Sequence, residues 1–177
     1  MRQQEIFENG QVDLSLLPSA DHLEWKPLQP SYKRLLVLSS LLWCAAFIAG
    51  ITIASPMAAI PRWVPLAGYA TIVLITLLQL ISIYKGFAFK GYALRMHDIL
   101  YKSGWLYKKQ IAIPFTRIQH VDIRQGLFER TFGLSKLNIY TAGGQGSDIT
   151  IPGLLDDDAR KLKEYILREI TEADEEE

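Results

Sequence analysis

A single cysteine, Cys44, stands in the 177 residues. It has no partner for an intrachain disulfide and belongs to no cysteine metal cluster, and its apolar neighbours give a reactive thiolate no support. Histidine is almost as scarce, with only His22, His97 and His120. His97-Asp98 and His120-x-Asp122 resemble base or ligand pairs, and residues 120 and 122 share a face on an alternating strand. A third ligand and a nucleophile are missing, so neither a metal site nor a catalytic residue is assigned. Charge of one sign is not in excess either: Lys plus Arg and Asp plus Glu both number 19. That balance removes any global electrostatic case for nucleic acid. Gly143-Gly144-Gln145-Gly146 lacks the Lys-Ser/Thr of a phosphate loop and has no helix directly after it, so it reads as a hairpin turn and no cofactor is implied.

The most telling absence is charge along two long runs. Residues 35–54 read LLVLSSLLWCAAFIAGITIA and residues 63–84 read WVPLAGYATIVLITLLQLISIY, both without an acid or a base. A twenty-residue helix rises about 30 Å, the thickness of a bilayer's hydrocarbon core. The intervening residues 55–62 contain two prolines. The expectation is a transmembrane helical hairpin. Lys26, Lys33 and Arg34 precede it and Lys85, Lys90 and Arg95 follow it, while the loop carries only Arg62. Basic residues gather on the cytoplasmic side, which predicts a two-span protein of the cytoplasmic (inner) membrane with both termini cytoplasmic. Tyr32, Trp63 and Tyr84 fall where an interfacial aromatic belt would lie.

Within the spans, Ala45/Ala49, Ala46/Gly50 and Ala67/Thr71 with Gly68 form small-residue steps that let helices approach closely. They serve either packing inside the hairpin or contact with another copy or partner helix. Gln79 is the only strongly polar side chain deep in a span. No Asp, Glu, Lys, Arg or His lies there, so an ion-coupled transport path has no support.

Residues 1–34 form a polar N-terminal segment interrupted by Pro18, Pro27 and Pro30. It reads as a disordered tail or as extended pieces docking on something, with residues 25–28 near the membrane interface. After the second span the periodicity changes to two. Strands are expected at 92–96 and 99–102 around a His97-Asp98 turn, then at 105–113 ending at Pro114, at 118–123, at 137–141 and at 148–151 ending at Pro152-Gly153. Residues 126–134 break the alternation and predict one or two helical turns. Asp156, Asp157 and Asp158 open a helix whose apolar stripe is Leu162, Tyr165, Ile166, Leu167 and Ile170. An acidic tail, 172–177, ends the chain. The fold class is thus α+β: a transmembrane helical hairpin, then an antiparallel sheet of six or seven strands over residues 85–171, closed by a C-terminal helix.

The run Ile113-Pro114-Phe115-Thr116-Arg117-Ile118-Gln119-His120-Val121, continuing through Arg124-Gln125-Gly126 and Arg130-Thr131-Phe132-Gly133-Leu134, resembles the bacterial PH-like domain family. Its P-x-x-R-I-Q-x-V block and its R-Q-G and R-x-x-G-L elements carry the likeness, with Tyr92-Ala93-Leu94 and Gly104 fitting the opening hairpin. The two preceding spans match the family's small two-span subgroup. The resemblance implies a PH-like bent antiparallel sheet with a capping helix, and a non-enzymatic platform for lipids or proteins. It also implies a candidate partner, a larger membrane protein with several PH-like domains.

Two groups of site residues follow. Lys85, Lys90, Lys108 and Lys109, with Trp105 and Tyr107, could face anionic membrane lipids, each juxtamembrane base contributing about 1 kcal/mol near such a surface; the bland reading makes Lys108-Lys109 a solvated tip and Trp105 a core residue. Pro114, Arg117, Gln119, Arg124, Gln125, Gly126, Arg130 and Gly133 form the family block. Its arginines either hold the block through carbonyls and acids such as Asp122 and Glu129, or meet a partner. On the structural reading, Arg117→Ala lowers thermal stability. The functional expectation is a membrane-anchored binding or assembly module; the rival is a structural subunit of a homo-oligomeric membrane assembly.

Overall fold

The structure, a computed structural model, describes residues 23–56, 61–142 and 149–175. His22, most of the N-terminal segment, part of the inter-span loop, the glycine-rich loop 143–147 and the end of the acidic tail lie outside the described residues.

The uncharged runs form helices α1 (Pro30–Ala54) and α2 (Trp63–Phe87), both long and apolar enough to cross a membrane. They pack on each other at a small residue: a Cβ on Gly68 would stand 3.0 Å from Ile51 Cδ1. Nearby, Thr52 Oγ1 and Tyr69 Oη lie 3.0 Å apart in a hydrogen bond between the helices. Gly50, by contrast, has nothing within 4 Å on its open side. Trp43, Phe47, Ile53, Trp63 and Leu66 are well exposed, as lipid-facing side chains must be.

Both helices extend past the uncharged runs, and α1 begins five residues earlier than expected. Pro30 occupies its first turn, where a missing N–H costs nothing. Ahead of it, β1 (Lys26–Pro27) pairs antiparallel with β2 (Gly91–Leu94). Lys26–Pro27 are therefore an edge strand, an extended piece docked on the domain. A proline suits such an edge because it need not donate to the ladder. Leu28, Tyr32 and Leu35 are buried in the same core as the sheet residues.

β3 (Asp98–Ser103) and β4 (Lys109–Pro114) complete a four-stranded sheet in the order β1-β2-β3-β4. The third strand starts later than expected because residues 104–108 form the turn, and Trp105 belongs to it. A 3-10 turn at Phe115–Arg117 then leads to β5 (Ile118–Arg124), α3 (Leu127–Thr131), β6 (Leu134–Thr141) and β7 (Ile149–Leu155). The last three strands make a second sheet, β5-β6-β7. The expected single bent sheet is thus two separately bonded sheets.

Strand β7 does not stop at Pro152-Gly153. Its pairing to β6 shifts between Ser135↔Leu154 and Leu137↔Ile151, so one extra residue is accommodated there. Proline's missing N–H falls in that bulge, and Gly153 takes φ +66°. Helix α4 (Asp156–Glu175) closes the core with Ala159, Leu162 and Ile166 buried and Tyr165 and Ile170 partly so. Leu167, assigned to the apolar stripe by its spacing, is 40% exposed. The innermost residues are Ile99, Leu134, Leu137, Ile139, Ile149, Ile151 and Ile166.

Candidate functional site

Two places gather the singled-out residues: the junction of spans and sheets, and the family block around α3.

At the junction, the chain contains no acid from Trp25 to His97, yet holds Lys26, Lys33, Arg34, Lys85, Lys90 and Arg95 on the domain side of the spans. Arg95 is neutralised by Asp98. The lysines lie instead over aromatic rings. Lys33 Nζ is 3.8 Å from the Tyr84 centroid and Lys85 Nζ 5.3 Å from that of Trp105. Lys90 Nζ is 5.7 Å from Tyr32 and Lys102 Nζ 4.3 Å from Trp25. Such contacts are worth about 0.5–1 kcal/mol when exposed and leave the positive charge uncancelled. Burial lowers the Lys90 pKa. Burial also pushes the Tyr32 hydroxyl up to about 12, helped by the charges of Tyr101 and Glu129.

Trp105 ties this collar to the second helix. Its Cδ1 would lie 3.1 Å from a Cβ on Gly86, so the indole rests on the end of α2. Trp105 is half-buried there, outside the domain's hydrophobic core. The following Leu106 and Tyr107 are 69% and 84% exposed, beside exposed Lys108 and Lys109. An exposed apolar pair next to two lysines, one residue from a side chain seated on a span, is a tip suited to a headgroup layer. A second apolar tip lies on the helical turn expected within residues 126–134: α3 lies against α1 and leaves Leu127 87% and Phe128 50% exposed.

The family block divides into positions that hold α3 and positions that face outward. Gly126 caps α3, and the Glu129 carboxylate accepts from the Gly126 backbone N–H, one half of a capping box whose other half a glycine cannot supply. Lys136 Nζ meets that carboxylate at 2.6 Å. The Lys136 hydrogen bond is the chief cause holding the Glu129 pKa below its ordinary value, against burial. Gln125 donates to the Leu134 carbonyl at 2.9 Å, and Gly133 ends α3 at φ +63°. Pro114 is the last residue of β4.

Arg124 meets Asp122 at 3.0 Å and donates to the Tyr140 hydroxyl at 2.9 Å. Asn138 donates to Asp122 at 2.7 Å and Thr150 to Asn138 Oδ1 at 2.8 Å, while His120 stacks on Tyr140 with centroids 4.1 Å apart. These contacts form a polar ladder across β5-β6-β7. Burial pushes the Asp122 carboxyl up, but the bonds from Asn138 and Arg124 outweigh it and its pKa is lowered. Arg117, Gln119 and Arg130 are exposed and make no side-chain hydrogen bond or ion pair among the described residues. Arg117 therefore does not anchor the block, and Glu129 is held by Lys136 and not by an arginine.

Comparison with known proteins agrees with this architecture. The transmembrane protein YdbS of Bacillus subtilis (strain 168), UPF0699, is 32% identical over 77 residues, which are 44% of this chain and 46% of that protein. The chain thus matches about half the length of that relative. No solved structure matches it. A family described as bacterial PH domain matches residues 35–170, taking in both uncharged runs, every strand but β1 and most of α4. With more than half of its length so matched, this membrane protein belongs to the bacterial PH domain family.

Proposed function

We propose that the chain is a membrane-anchored, non-enzymatic PH-like module of the cytoplasmic membrane, working through partner membrane proteins or lipid headgroups. Both termini and the two sheets lie on the cytoplasmic side. The observation that carries this reading is the collar of lysines over aromatic rings, none of them ion-paired among the described residues, beside the exposed Leu106-Tyr107 tip. Cations at that level are drawn to anionic leaflets, each adding about 1 kcal/mol. The outward-facing Arg117, Gln119 and Arg130 are left for a protein partner.

Extraction of the tagged protein in a lipid-preserving medium, followed by mass spectrometry of everything retained, tests the reading. A stoichiometric second membrane protein or an enriched anionic lipid is the expected result. Self-copies alone, in a lipid background identical to the membrane, would overturn it in favour of a homo-oligomeric structural subunit. That second reading has its own observation in the open face at Gly50, where nothing stands within 4 Å. Protease added outside intact spheroplasts should leave a C-terminal tag untouched; its removal would refute the orientation.

A further inference from the structure

The domain-side half of the helical hairpin contains a cleft whose lining does not suit bare hydrocarbon. One part, about 250 Å³, lies between α1 and α2 with Leu36, Phe87 and Ile83 on its walls, Ser82 and Gln79 along α2, and Lys90 at its mouth. A second part, about 220 Å³, adjoins it through Gln79 and runs deeper between Trp43, Phe47, Ile72 and Ile75. Neither Gln79 nor Ser82 has a side-chain partner among the described residues. The Ser40 hydroxyl, 2% exposed and facing the deeper part, is buried without one. Unpaired polar groups at membrane depth are costly and call for an acceptor.

The groups are ordered by depth. Lys90 stands beyond the end of α2. Gln79 lies five residues below Tyr84, roughly 7 Å at helical rise. Ser40 opens onto the apolar channel beneath. A phosphate, then ester carbonyls, then acyl chain meet cation, amide and hydroxyl donors, and aliphatic wall in that same sequence. Lys90 is ion-paired to no acid among the described residues.

We infer that this inter-span cleft binds one anionic glycerophospholipid, its phosphate on Lys90, its ester oxygens on Gln79, Ser82 and Ser40, and an acyl chain along Trp43 and Phe47. The inference rests on the lipid-facing reading above and sharpens it to a single site that takes Lys90 from the collar and leaves the tip lysines Lys108 and Lys109 outside it.

The test uses the full chain, delipidated in mild detergent and titrated with phosphatidylglycerol or phosphatidylcholine under native mass spectrometry. One phosphatidylglycerol per chain should be retained in preference to phosphatidylcholine. Lys90→Gln should weaken that retention at least about fivefold, the worth of one interfacial cation. Gln79→Leu should weaken it as well, while Lys108→Gln/Lys109→Gln leaves it unchanged, with melting temperatures recorded to confirm that each variant folds. Millimolar glycerol 3-phosphate should not displace the lipid. Equal retention of both lipids, indifference to Lys90→Gln, or displacement by glycerol 3-phosphate would each overturn the site. So would a stable dimer abolished by Gln79→Leu, which would mean that a second copy covers the cleft. Loss with Lys108→Gln/Lys109→Gln but not with Lys90→Gln would overturn the cleft and leave the surface reading standing. Loss with none of these variants, and no enrichment of anionic lipid, would remove both.

Discussion

Gly153→Ala should cost far more than its one methyl group suggests. The residue holds φ +66°, and a Cβ there would lie 2.4 Å from Tyr32 Cγ and 2.5 Å from Tyr32 Cβ. Two penalties follow. An L-residue in the left-handed region costs about 1–2 kcal/mol. The clash then expels a buried ring, which forfeits about 1.5–3 kcal/mol of apolar burial. Gly133 supplies the control, because it has φ +63° and nothing within 4 Å of its would-be Cβ. Gly133→Ala should therefore show only the first penalty. For a domain of this size each kcal/mol shifts the melting temperature by about 4–8 °C. The full chain in detergent should lose roughly 4–16 °C with Gly133→Ala and clearly more with Gly153→Ala. A double-mutant cycle closes the argument. With Tyr32→Ala already present, Gly153→Ala should cost less than it does alone but still more than Gly133→Ala, since the ring is gone while the residue 32 Cβ it also strikes remains. Equal losses for the two glycines, or strict additivity of Gly153→Ala with Tyr32→Ala, would refute the contact between the start of α1 and the β7 bulge.

Acid should loosen the domain. The folded pKa values of Glu129, Asp122 and Asp156 all lie below their ordinary values of 4.5, 3.8 and 3.8. Stability gained from a depressed carboxylate is full above the unfolded pKa and is lost as pH falls through the folded one. The melting temperature should thus fall below about pH 4.5, and Glu129→Gln should flatten the upper part of that decline; a profile unchanged by Glu129→Gln would refute the Lys136 pairing. Arg117→Ala, an exposed change without a partner to lose, should stay within about 0.5 kcal/mol of the parent, whereas Asn138→Ala, which strips a bond from Asp122, should cost about 1 kcal/mol; thermal melts that reverse this order would refute the ladder.

The spans were legible because nothing but membrane burial explains two charge-free runs of that length. The strands were legible through period-two apolar positions such as Leu137 and Ile139, although Leu100 and Asn138 on the other face are buried as well. What escaped was set by contacts between distant segments. β1 is two residues long and contains Pro27, so it has no period to read. Passage of β7 through Pro152 depends on a register shift opposite Lys136, which local rules cannot show. Leu167 fits the helical stripe by spacing, yet Ile166 and Ile170 take the core-facing side of α4 and leave it at the edge. Among the site residues, Gly126 and Gly133 carry the backbone demands of α3, but the roles of the arginines depended on partners across the sheet. Arg124 found Asp122 and Tyr140, and Arg117 found none.

The early start of α1 has a mechanical consequence. Tyr32 and Leu35 are sealed in the core at 8% and 6% exposure, while Leu38, less than one turn further, is 41% exposed. The same rod is gripped by the sheets at one end and by lipid along the rest, with no hinge between. A bilayer that thickens, thins or bends must tilt that rod, and tilting it turns the two sheets as a lever turns its handle. The direction in which Arg117, Gln119 and Arg130 face is thereby set relative to the axis of α1.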